Sequence, residues 1–249
     1  MKTVGIALGG GAVLGAAHVG VLKAIEETNL EISHITGTSI GAFVGAFYAF
    51  GLKSVDIEKI ALNLGWFDFT KIALSKYSLL TNKKLGELII ENLGDKNIED
   101  SIIPLAIITT NIINGKKVVL TKGSLAKAVM ASTCIPGIFK PIEMDDMMLV
   151  DGGIVENVPI DTLREIGAKY TIGVDLNAKS EHGKPGNILD VIVNSFHFII
   201  KQTVTLQTQS ADVLIKPNLS GFNMSDMSQV EELMEKGYAD AKASLNKLI

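Results

Sequence analysis

The sequence predicts an α/β fold, a three-layer α/β/α sandwich around a mostly parallel sheet, and three observations point to it. The chain opens as strand, glycine loop, helix, strand, helix, the alternation that parallel pairing needs because each crossover requires a helix. Its strand segments are continuous apolar or β-branched runs, the pattern of strands buried on both faces. No Pro/Ser-rich linker, low-complexity run or fixed-period repeat divides the 249 residues, so 1–249 reads as one domain, long enough to bury a core without disulfides or metals.

Taken in order, Thr3 to Leu8 is an apolar strand, followed by Gly9-Gly10-Gly11 and a helix from about Gly15 to Thr28. Ile32 to Thr36 is the second strand. The helix after Ser39 carries Gly41 and Gly45 one turn apart, which allows close packing on a neighbouring backbone. Helices follow at Val55 to Leu64 and Asn82 to Leu93, then strands at Leu105 to Thr110 and Lys117 to Thr121 joined through Asn114-Gly115. Ser124 is a good N-cap for a helix to Ser132, and Met147 to Val150 is a short strand running into Asp151. The remainder reads as a helix near Ile160 to Ile166, a strand at Tyr170 to Asp175, a long helix from Asn187 to about Thr208, a strand at Val213 to Lys216, and a closing amphipathic helix from Ser228 to Leu248.

Composition excludes several classes. The formal charge of −4, with lysines scattered among acids, gives no footing for nucleic acid. Cys134 is the only cysteine, so no internal disulfide is available and a reducing, cytoplasmic setting is expected, with Cys134 itself a buried structural thiol. Met1 to Leu8 is too short and too soon glycine-rich for a signal peptide. Ile188 to Ile200, the most apolar later stretch, is interrupted by Asp190 and Asn194 and is too short to span a bilayer, which makes the expected protein soluble.

The chemistry concentrates in three segments. Gly37-Thr38-Ser39-Ile40-Gly41 has the G-x-S-x-G form of a nucleophile elbow, a serine on a sharp strand-to-helix turn with glycines where side chains would collide. Gly9-Gly10-Gly11-Ala12 lies between the first strand and its helix, where backbone N–H groups can face an anion, either a phosphate or the oxyanion of acyl transfer. Leu14 at the sixth loop position, and no acid closing the second strand, count against a dinucleotide. Asp151-Gly152-Gly153 puts a carboxylate at a strand end, to serve as the general base for Ser39 or simply to cap its own turn. Asp145 and Asp146 are rival carboxylates that read as a solvent-facing hairpin turn. A Ser-His-Asp triad is the other reading, but none of His18, His34, His182 and His197 lies in a glycine-punctuated loop, and Ser39 follows only the second strand.

Together the three segments resemble the patatin-like phospholipases, serine lipid acyl hydrolases that use a Ser-Asp dyad. The match runs over residues 3 to 176: Gly9-Gly10-Gly11 through Gly15 with His18-Val19-Gly20-Val21-Leu22, then Gly37 to Gly41, then Ala131-Ser132 and Pro136-Gly137-Ile138-Phe139-Lys140-Pro141, then Asp151-Gly152-Gly153 and Asn157-Val158-Pro159. The resemblance implies Ser39 as nucleophile, Asp151 as general base, and the N–H groups of Gly10, Gly11 and Ala12 as the oxyanion hole. Gly9, Gly15, Gly37, Gly41, Gly152 and Gly153 support these segments, and neither metal nor cofactor is implied. Leu14 departs from the family, whose loop usually carries an arginine or lysine there, which bears on how the loop is anchored.

The expected activity is hydrolysis of lipid carboxylic esters (phospholipase, lysophospholipase or carboxylesterase) through an acyl-enzyme. An acyltransferase using the same serine, and a catalytically weak lipid-binding module, are the alternatives. Gly65-Trp66-Phe67-Asp68-Phe69 and Met144 to Met148 suit an acyl channel, peripheral contact with a membrane, or ordinary core packing. The sequence specifies no oligomeric state.

Overall fold

A computed structural model describes residues 2–63, 72–75, 78–178, 185–186, 188–224 and 226–246. Its centre is an eight-stranded sheet built from β1 (Lys2–Leu8), β2 (Leu30–Thr38), β5 (Leu105–Asn111), β6 (Lys116–Leu120), β7 (Ile142–Met144), β8 (Met147–Asp151), β9 (Thr171–Val174) and β10 (Val213–Ile215). Strands β10, β9, β1, β2 and β5 pair in parallel, whereas β6, β7 and β8 join antiparallel. A separate antiparallel pair, β3 (Ile72–Ser75) and β4 (Ser78–Leu80), was not expected, nor was β7. These strands are three or four residues long, and so short a strand is defined by its partner more than by any period of its own.

The helices are α1 (Ala16–Glu26), α2 (Ile40–Ala49), α3 (Ser54–Leu62), α4 (Lys83–Leu93), α5 (Leu125–Ser132), α6 (Ile160–Glu165), α7 (Ile188–Gln207) and α8 (Val230–Leu245). Strand β1 shows how they are sorted. Val4, Ile6 and Leu8 point into the larger core, with residues of α1, α2, α4, α5 and α8. Ala7 points the other way, into a smaller core with Ile160 and Leu163 of α6 and Ile200 and Val204 of α7. Gly5 shares that second face: a Cβ there would stand 2.5 Å from Ala168 and 2.9 Å from Leu163, so the bare backbone lets α6 approach. Helices therefore cover both faces, as the alternation predicts. Gly65 to Phe69 and His182 lie outside the described residues.

Register brings the site together. Ile107 and Ile108 of β5 pair with both β2 and β6, while Thr109 to Asn111 pair with both β6 and β8. Strand β6 thus holds one edge of β5, and β2 and β8 follow one another along the opposite edge. Thr38 partners Ile108 and Asp151 partners the next residue, Thr109. The C-terminal ends of β2 and β8 meet head to head, which sets Ser39 beside Asp151 although 112 positions separate them in sequence.

Candidate active site

Ser39 sits between β2 and α2 with φ 54° and ψ −126°. A non-glycine residue held at positive φ costs roughly 1–3 kcal/mol, and such strain is found chiefly where function needs it. The surroundings enforce the turn. The Ser39 N–H donates to Ser132 Oγ at 2.8 Å, and that hydroxyl donates to the Ile108 carbonyl at 2.6 Å, tying the elbow to α5 and β5. A Cβ on Gly37 would stand 2.6 Å from Ala42 Cα, and one on Gly41 would collide with the Leu8 carbonyl, so both glycines permit backbone contact.

Asp151 is 1 % exposed and Ser39 9 %. Asp151 Oδ1 accepts the Gly153 N–H at 2.8 Å, which caps the Asp-Gly-Gly turn as expected of the blander reading, while Oδ2 has no bond of ordinary geometry. Burial pushes the carboxyl from 3.8 up to about 7, with the Ser39 hydroxyl and the Gly153 N–H pulling it partly back. The Ser39 hydroxyl stands near enough to the carboxyl to lower its pKa somewhat. The same Asp is therefore both turn cap and neighbour of the serine. Asp145, by contrast, has φ 52° in the β7–β8 hairpin turn, away from this edge.

The glycine loop is anchored from four sides. Gly9 N–H donates to the Val174 carbonyl at 3.1 Å, His18 Nε2 bonds the Gly9 carbonyl at 2.7 Å, Asn177 Nδ2 donates to the Gly10 carbonyl at 2.7 Å, and Val13 N–H donates to the Met224 carbonyl at 3.2 Å. Leu14 is fully buried in the larger core, so the position that differs from the family pattern packs rather than reaching for an anion. Of the three predicted oxyanion donors, Gly10 N–H is engaged by the Asn157 carbonyl in a long bond of 3.3 Å. The N–H groups of Gly11 and Ala12 have no acceptor among the described residues. Ala12, like Ser39, is held at positive φ, 49°.

The three described histidines, His18, His34 and His197, have other partners. His18 is buried, its pKa lowered by burial to about 4, so it is neutral and serves as a loop anchor. His34 Nδ1 bonds Ser33 Oγ at 3.0 Å on β2, and His197 is buried in α7 against Phe196. Cys134 is buried, donating Sγ–H to the Lys140 carbonyl at 2.8 Å, and its thiol is pushed well above its usual pKa by burial and by nearby Asp151. No cluster of metal-ligating side chains occurs among the described residues.

Two residues beside Ser39 and Asp151 had no role in the sequence reading: Ser132, which fixes the Ser39 N–H, and Asn157, whose carbonyl meets the glycine loop. Both lie in motif segments already noted, but only the fold places them.

The mixed α/β sheet thus carries a strained serine at one strand end with a buried carboxylate beside it. Residues 6–164, more than half of the chain, match the model of the patatin-like phospholipase family, and the chain belongs to that family of carboxylic ester hydrolases. The lysophospholipase nte1 of Aspergillus fumigatus is 28% identical, across 99% of this chain and 18% of that protein. The neuropathy target esterase sws of Drosophila melanogaster is 31% identical, across 72% of this chain and 13% of that protein. The chain thus spans less than a fifth of the length of these relatives. The structure of VipD from Legionella pneumophila has a TM-score of 0.65 at 13% identity, covering 99% of this chain and 66% of that one. The type III effector ExoU has a TM-score of 0.50 at 14% identity, covering 99% and 53%. At those identities they show a shared fold.

Proposed function

We propose that this chain is a serine lipid acyl hydrolase acting through an acyl-enzyme on Ser39, and that residues 1–249 work as one hydrolase domain. The observation that carries the reading is the head-to-head meeting of β2 and β8, which sets a strained serine against a buried carboxylate with a pKa near the working range. Asp151 takes the hydroxyl proton as Oγ attacks the ester carbonyl. The tetrahedral oxyanion is held by the N–H groups of Gly11 and Ala12, with Gly10 fixing the loop through its bond to Asn157. Collapse expels the alcohol, which takes the proton from Asp151. Water then attacks the acyl-enzyme with Asp151 again as base, releasing the fatty acid and Ser39.

The relatives named lysophospholipase favour a single-chain phospholipid among candidate substrates. No helix among the described residues is long and apolar enough to cross a membrane. Contact with a lipid surface is assigned to α7, whose outer side carries exposed Ile188, Val191, Ile199 and Leu206 while Ile200 packs inward on the Asp-Gly-Gly turn. A cytoplasmic, peripheral location fits the single cysteine and this stripe. The test is release of free fatty acid from a lysophospholipid and from a short-chain ester. Wild type should hydrolyse both and Ser39→Ala neither, and a folded Ser39→Ala that keeps normal turnover would end this reading.

A further inference from the structure

The main chain of Asn157 is fully engaged: its carbonyl accepts the Gly10 N–H at 3.3 Å and its N–H donates to Gln207 Oε1 at 2.9 Å. Its side-chain amide is not. Asn157 is 0 % exposed, and neither Nδ2 nor Oδ1 has a hydrogen-bond partner among the described residues. Buried polar groups are nearly always paired, so an orphaned amide calls for an explanation.

Its position supplies one. The amide Oδ1 lies 2.7 Å from the point a Cβ on Gly10 would occupy, and Ser39 Cβ lies 3.1 Å from that same point. The amide also lies 3.2 Å from the corresponding point on Gly153, where Asp151 Oδ1 is 3.1 Å away. The group therefore stands among the glycine loop, the serine and the carboxylate. It does not bond Asp151, although Asp151 Oδ2 is equally buried and unpartnered. In this orientation the end that faces the carboxylate is Oδ1, an acceptor like the carboxylate itself, and the same oxygen fills the space beside Gly10. There its own carbonyl has already taken up the Gly10 N–H, leaving the loop one donor short.

We propose that Asn157 is a further catalytic residue, donating a side-chain N–H to the ester carbonyl oxygen as that oxygen becomes the tetrahedral oxyanion, beside the N–H groups of Gly11 and Ala12. Turning the amide by 180° exchanges Oδ1 for Nδ2 and sacrifices no bond, because neither end has one. A donor kept unpaired in a water-poor site, ready for charge that develops only during reaction, is the arrangement electrostatic preorganisation requires. This inference rests on the Ser39–Asp151 reading above.

The test is Asn157→Leu, similar in shape but without polar atoms, with Asn157→Ser as a second, smaller replacement should leucine fail to fold. Turnover of a short-chain ester, KM, melting temperature, the pH midpoint of kcat/KM and the rate of fluorophosphonate labelling are measured together. A lost oxyanion donor lowers kcat by about 10²- to 10³-fold. KM stays within about threefold, because the contact forms in the transition state. The melting temperature of Asn157→Leu does not fall, since no bond is lost, labelling slows in step with kcat, and the pH midpoint does not move. Folded variants that keep kcat within about threefold overturn the inference. So does loss of melting temperature in step with activity in both variants, which marks a structural role, or a moved midpoint, which marks action through Asp151. If wild type neither turns over nor labels, the dyad reading falls and takes this inference with it; if wild type does both and the variants match it, only the Asn157 role falls.

Discussion

Replacing Asp151 by asparagine separates the two demands the site makes on one carboxyl. Burial lifts its pKa from 3.8 to about 7, so the folded chain holds that proton about a thousandfold more tightly than the unfolded chain, a difference of roughly 4 kcal/mol. The folded value lies above the unfolded one. The stabilising contribution is therefore complete below about pH 4 and is lost as pH rises to about 7, beyond which an ionised carboxylate sits in a buried site at full cost. The amide introduced by Asp151→Asn carries no charge, and its oxygen can keep the bond from the Gly153 N–H. Relative to wild type, Asp151→Asn should therefore gain stability by roughly 4 kcal/mol between about pH 4 and pH 8, close to 10 °C in melting temperature for a chain of this size. It should lose at least about 10²-fold in turnover, because an amide accepts no proton. Thermal melts at both pH values and short-chain ester assays measure the two effects. Near-normal turnover would remove Asp151 from the mechanism, and a stability gap that ignores pH would show that its carboxyl titrates as an ordinary exposed one.

The wild-type kcat/KM should rise with pH through a single ionisation near about 7 and level off above it, because Asp151 must be ionised to accept the Ser39 proton. At two pH units below that midpoint about one hundredth of the plateau remains, and a profile flat from pH 5 to 8 would contradict the assignment. Leu14→Arg places a guanidinium in the larger core, where Leu14 is 0 % exposed, and should cost ~3–5 kcal/mol in a denaturant melt; an unchanged midpoint would mean that the loop does not pack as described. The double variant Ile199→Glu and Leu206→Glu should weaken sedimentation with phosphatidylcholine vesicles while leaving turnover of a water-soluble ester unchanged. Equal sedimentation would remove α7 from the lipid-facing surface.

Much of this was legible in the sequence where local chemistry decides the outcome. Apolar strands β1 and β2, each broken by glycine before a helix, and the Ser124 N-cap, whose side chain accepts from the Lys127 N–H, emerge as predicted. Glycines at 37 and 41 are where backbones touch. What the sequence could not disclose depends on distant pairing. The bond from the Ser39 N–H to Ser132 spans 93 positions, and the one from Asn177 to Gly10 spans 167. Register alone reveals that β8 continues the edge that β2 vacates, and hence why Asp151 meets Ser39. The engagement of Gly10 by Asn157 and the burial of Leu14 likewise follow from packing, since a glycine-rich loop reads the same whether its N–H groups are free or taken.

The central claim, that Ser39 is the nucleophile, is tested most directly by reacting the protein with a fluorophosphonate and locating the adduct by peptide mass. The account predicts one adduct, on the peptide containing Ser39, formed with loss of esterase activity and abolished in Ser39→Ala. An adduct on another residue, or esterase activity that survives complete modification of Ser39, would contradict it.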